Sequence, residues 1–124
     1  MSSLVLKAYF KLVQFDANVR RGDFAALHKK VREFPLEKQP VPADTIEKVC
    51  SAVNVACIWY WRQVLCLQRS AVTACLLKLH GVPAVMAIGV QPIPFKAHAW
   101  VEVEGRVVND KPYMLEMYSV LDRC

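Results

Sequence analysis

Residues 66–90 read C-L-Q-R-S-A-V-T-A-C-L-L-K-L-H-G-V-P-A-V-M-A-I-G-V, and within this stretch the chain changes its structural period. From Cys66 to His80 it is rich in Leu and Ala with few polar residues, which predicts a helix apolar on most sides. Gly81 followed by Val82-Pro83 is a stop signal, because glycine suits the left-handed cap and proline cannot continue the helix. After Pro83 the pattern is that of strands: 84–90, 97–103, 106–110 and 118–123. A helix apolar on most sides is normally wrapped by other elements. Helices first and strands afterwards therefore predict an α+β fold, with a central helix starting at Cys66 packed on an antiparallel sheet.

Upstream, residues 2–34 read as helical, with Leu4, Ala8, Phe10, Leu12, Val13 and then Phe24, Leu27 and Val31 as the apolar face, divided at Gly22-Asp23. The run from Phe34 to Pro42 holds three prolines, which remove backbone donors and favour extended geometry, so it reads as a connector. Asp44 and Glu47 have capping-box spacing ahead of a helix through Val49, Val53 and Cys57 that frays near Trp61. The expected organisation is an N-terminal helical region with its connector over 1–42 and a core over 43–124, within one compact unit.

At 124 residues, 55% hydrophobic and 22% charged, the chain is far from the composition of disordered segments. Every apolar stretch is cut by charge or proline before the ~20 residues of a membrane span. Lys7 and Lys11 interrupt the first apolar stretch, which does not read as a secretory signal, and the cytoplasm is the expected compartment. The net charge of +5 favours acidic partners such as nucleic acid, anionic lipid or an acidic peptide and is too small to choose among them; no nucleic-acid partner is expected. Five cysteines, with no C-x-x-C pair and no His cluster, point to free thiols without a metal site, and no cofactor is expected.

Residues 97–110, A-H-A-W-V-E-V-E-G-R-V-V-N-D, form two alternating strands about Glu104-Gly105. With a three-residue loop, Val103 to Gly105, Glu102 opposes Arg106, Trp100 opposes Val108, and His98 faces Asp110 across one sheet face. With a two-residue loop, His98 opposes Lys111 and Asp110 turns to the other face unless a bulge intervenes. The glycine position and the Glu102/Arg106 charge pair favour the first. Asn109 and Asp122 are the alternatives for orienting His98.

A thiol is activated where a helix N-terminus and a nearby imidazolium stabilise the thiolate. Cys66 sits at such a start, whereas Cys57 and Cys75 lie within helices, Cys50 on an apolar face, and Cys124 at the end. Gln63 is a candidate oxyanion donor beside the ordinary reading of a solvated glutamine. Trp61, in the run Trp59-Tyr60-Trp61, is a candidate cleft residue or packs on the sheet. Arg69 can lie beside the thiol to meet a carboxylate, or simply be solvated.

In order, the chain carries Cys66-Leu67-Gln68-Arg69-Ser70, His80-Gly81-Val82-Pro83-Ala84, Phe95-Lys96-Ala97-His98-Ala99-Trp100-Val101-Glu102, Val107-Val108-Asn109-Asp110 and Val120-Leu121-Asp122-Arg123. Over about residues 45–124 this resembles the stand-alone leader peptidase, the B protein, of lasso peptide biosynthesis, one of the transglutaminase-like cysteine enzymes. The resemblance implies a catalytic triad of Cys66, His98 and Asp110 and removal of the leader from a ribosomally made precursor peptide. It also implies a separate leader-binding companion protein, and adds the ATP-dependent lasso cyclase as a further candidate partner. Two other readings stay open: acyl transfer to an amine by the same triad, and a non-catalytic peptide-binding module.

Overall fold

A computed structural model describes residues 3–124; Ser2, the expected first residue of the helical region, lies outside them. The described elements are α1 (Ser3–Arg20), α2 (Phe24–Glu33), α3 (Thr45–Trp59), α4 (Cys66–Leu79), β1 (Ala84–Pro92), β2 (Phe95–Val103), β3 (Arg106–Val107), α5 (Met114–Met117) and β4 (Ser119–Arg123). The strands form one antiparallel sheet in the order β3-β2-β1-β4. The fold is α+β.

Helix α4 is central because most of it is apolar, its charges being confined to Arg69 and Lys78: Gln68 and all of residues 70–77 are buried. It touches α1, α2, α3, β1 and β2. Its end is closed as the Gly-Val-Pro signal predicts, with Val82 N–H donating to Leu77 O (2.8 Å) and Gly81 N–H to Lys78 O (3.1 Å). Val5, Ala8, Leu12 and Phe15 of α1 and Leu27 and Val31 of α2 lie in the same buried cluster as α3, α4 and the inner sheet face.

Several details depart from the expected pattern. Phe10, Val13 and Phe24 are exposed, because the inward stripe of α1 runs through positions 5, 8, 12 and 15, and α2 turns Leu27 and Val31 inward instead. Asp44 precedes α3, but its carboxylate bonds Lys48 Nζ (3.0 Å) and caps no backbone N–H, so the capping box does not form. The strand expected over 106–110 ends at Val107, and the single turn of α5 was not anticipated. A carboxylate fastens α1 to its neighbours. Asp16, almost fully buried, accepts from Tyr60 OH (2.9 Å), Arg20 Nε (3.1 Å) and Gln68 Nε2 (3.5 Å). Burial, and then the bond to Asp16, push the Tyr60 phenol up to about 12.

Candidate active site

The turn between β2 and β3 has two residues, Glu104 (φ 52°) and Gly105 (φ 77°), both left-handed as a type I′ turn requires. Glu102 pairs with Val107 and Val103 with Arg106. This corrects the favoured register. Glu102 does not meet Arg106: it is buried, and its carboxylate accepts from Trp100 Nε1 (3.0 Å) and Arg123 Nε (2.9 Å). Burial alone would raise the Glu102 carboxyl, but these two bonds and the guanidinium charge outweigh it and hold it below its usual value.

In that register a regular ladder would carry Asp110 to the wrong face, yet the carboxylate reaches its target. His98 Nε2 and Asp110 Oδ2 are 2.5 Å apart, and Asp110 Oδ1 accepts from Lys111 N–H (2.8 Å). The ladder breaks after Val107, and residues 108–110 bend. Val108 N–H still donates to Val101 O (3.0 Å), but Val101 N–H donates to the Asn109 side-chain Oδ1 (2.7 Å) rather than to a neighbouring strand's backbone. The irregularity that a two-residue loop would need is therefore present. Asp122 lies elsewhere, against Arg32 (3.4 Å).

The His98 ring is held by the outer sheet layer. It stacks on Tyr118 (centroids 5.5 Å, planes 29° apart) and lies beside the fully buried Trp100 (6.2 Å). Gly89, directly opposite His98 on β1, makes room for this layer: a Cβ there would stand 2.7 Å from Trp100 Cη2 and 2.9 Å from Tyr118 Cβ. Since Trp100 has nowhere to move, Gly89→Ala is expected to cost about 1–3 kcal/mol of stability by overpacking, measurable as a lower denaturation midpoint.

Cys66 is the first residue of α4, where backbone N–H groups point outward without intrahelical partners. Cys66 and His98 line one cavity of about 250 Å³, walled by Leu65, Leu67 and Ile88 and bordered by His28 of α2. A larger concavity of about 520 Å³ between α1 and α3 is lined by no thiol or imidazole. Sequence reasoning missed His28: one imidazole on a surface helix carries no signal, and only the docking of α2 through Leu27 and Val31 brings it to the edge of this cavity.

Trp61 and Gln63 are exposed on the connector between α3 and α4 and do not line this cavity. The aromatic run does not pack on the sheet. Trp59 and Trp61 are exposed, Arg62 lies 3.6 Å over the Trp61 ring, and the buried Tyr60 packs on Tyr9 of α1. Arg69 pairs with no described carboxylate; its charge is felt at Cys57, which places it toward α3.

The remaining thiols are set apart by burial. It raises Cys50, Cys57 and Cys124, and raises Cys75 to about 11. Cys124 is buried and paired through its backbone with Met86, so its thiol is shielded. Sub-stoichiometric iodoacetamide at neutral pH is therefore expected to label Cys66 first, and peptide mapping that finds another cysteine carboxymethylated ahead of it would contradict this.

A cysteine at a helix start, a histidine on one strand and a carboxylate just past the next define a class. The chain belongs to the transglutaminase-like superfamily, whose sequence profile matches residues 10–123. Over 56 residues it is 41% identical to the microcin J25-processing protein McjB of Escherichia coli, a stretch that makes up 45% of this chain and 27% of that protein. The match thus spans about a quarter of that relative's length. No solved structure matches.

Proposed function

We propose that the chain is a cysteine peptidase that removes the leader from a lasso peptide precursor, with Cys66 as nucleophile, His98 as acid and base, and Asp110 as its orienting carboxylate. The observation that carries this reading is that His98, which is paired with Asp110, lines the same cavity as a thiol at a helix start. The similarity to a microcin-processing protein supplies the substrate class.

The His98–Asp110 contact supports the following proton path. Asp110 engages Nε2 of His98, so the neutral ring carries its proton there and leaves Nδ1 as the base. Nδ1 takes the Cys66 proton, and the thiolate attacks the carbonyl at the leader–core junction. The oxyanion is received by the Cys66 N–H at the start of α4. The imidazolium, steadied by Asp110, protonates the departing core amine; the neutral ring then activates water to hydrolyse the thioester and free the leader. A separate leader-binding companion protein delivers the precursor, and the new amine is what an ATP-dependent cyclase requires, so all three act in one compartment, the cytoplasm.

Mass spectrometry of a synthetic precursor incubated with this chain, with and without the companion, tests the reading. The expected products are intact core and a leader ending in a free carboxylate. A leader recovered as an amide of an added amine would mean acyl transfer instead, and an uncut precursor under both conditions would end the assignment.

A further inference from the structure

We infer that Asn109 is a positioning residue for the Asp110–His98 pair, its side chain serving as the missing piece of strand that lets the backbone leave the sheet one residue before the carboxylate. The inference rests on the catalytic reading above and concerns the same site.

Three side-chain bonds meet at residues 108 and 109, and a fourth continues from Ser70 to the neighbouring strand. Asn109 Oδ1 accepts from Val101 N–H (2.7 Å), taking the bond that the carbonyl of Val108 would accept in a regular antiparallel pair. The Val108 carbonyl is instead met by the Cys50 thiol of α3 (3.6 Å). Asn109 Nδ2 donates to Ser70 Oγ (3.1 Å), and Ser70, buried one turn beyond Cys66, donates to Ala99 O (3.1 Å). The amide thus joins the helix that carries Cys66 to the strand that carries His98.

Register makes this arrangement necessary. With a two-residue turn, uninterrupted pairing would oppose His98 to Lys111 and turn Asp110 to the other sheet face. Leaving the ladder at Val108 would strand the Val101 N–H, and a buried donor without a partner costs about 1–3 kcal/mol. An asparagine offers both an acceptor for that N–H and donors for a neighbour; alanine offers neither. Without the amide, the backbone is expected to relax toward regular pairing and draw Asp110 away from His98.

The experiment uses the full chain and two readouts. The first is the pH dependence of Cys66 alkylation, which reports the thiol–imidazole couple without any precursor. Asn109→Ala is expected to shift that profile in the direction of Asp110→Ala, with the double variant adding little, since residues acting through one another are not additive. On the precursor, kcat should fall about 10²-fold with KM held, the scale of a misplacement near 1 Å. Asn109→Asp, which keeps an acceptor for Val101 N–H, should recover most of the loss. Ser70→Ala removes only the outer bond; its smaller shift in the same direction serves as the test where Asn109→Ala does not fold. A wild-type profile in Asn109→Ala, or in Ser70→Ala should that one alone fold, beside a shifted Asp110→Ala overturns the role of Asn109 and leaves the triad standing. A wild-type profile in Asp110→Ala removes the triad's third member, and this inference with it.

Discussion

Replacing Cys66 by alanine is expected to abolish leader removal while leaving the protein folded. Without a nucleophile there is no acyl-enzyme, and the loss in kcat should be on the order of 10⁶, the scale seen when other covalent hydrolases lose theirs. Stability should change little, because Cys66 is only half-buried at the first position of α4 and belongs to neither buried cluster. Cys75 is the informative contrast. It is fully buried in the main cluster, so Cys75→Ala should cost about 1 kcal/mol of stability through the small void it leaves, yet keep turnover. Precursor cleavage followed by mass spectrometry, with circular dichroism as the check on folding, separates the two. Cleavage by the Cys66 variant near the wild-type rate would show that another group performs the attack.

The second large effect is expected from Asp110→Asn. An amide in place of the carboxylate offers its N–H to His98 Nε2, which drives the ring proton to Nδ1, the nitrogen that accepts the thiol proton in the proposed mechanism. The side chain stays where it is, while the base is blocked. Turnover should fall by about 10⁴, as when comparable His–Asp pairs are changed in this way, with precursor binding retained. Steady-state kinetics measure both quantities, and an active Asp110→Asn enzyme would mean that the 2.5 Å contact has no part in the chemistry.

The identity of this pair was legible in the sequence, but by a route the structure does not follow. Glu104-Gly105 lacks the Asn or Asp that usually leads a type I′ turn, and Glu104 accepts a left-handed φ of 52°. Glu102 and Arg106 looked like partners across a three-residue loop, whereas Glu102 is engaged by Trp100 and Arg123, a residue on the far strand β4. The pairing of His98 with Asp110 was therefore anticipated from the wrong register, and what rescues it, the departure at Asn109, is a long-range event. Helix α4 was readable because its C-terminal end is set locally by Gly81-Val82-Pro83 and its burial by composition. The inward face of α1 was misjudged because Phe10 and Val13 are apolar enough to point inward, and only its partners decide which stripe does. His28 belongs with that second group: its place on the cavity wall depends on how α2 docks.

The buried carboxylate of Asp16 has a consequence for how the protein is born. Its partners Tyr60 and Gln68 lie 44 and 52 residues further along the chain, and the apolar stripe of α1 likewise waits for α3 and α4. At translation rates of roughly 5–20 residues per second, the first helix emerges about 3–10 s before the last of these partners does. During that interval the nascent protein presents Val5, Ala8, Leu12 and Phe15 to whatever surrounds the ribosome. Synthesis is thus the moment at which this molecule is most open to aggregation, and slowing elongation ahead of residue 68 would lengthen it.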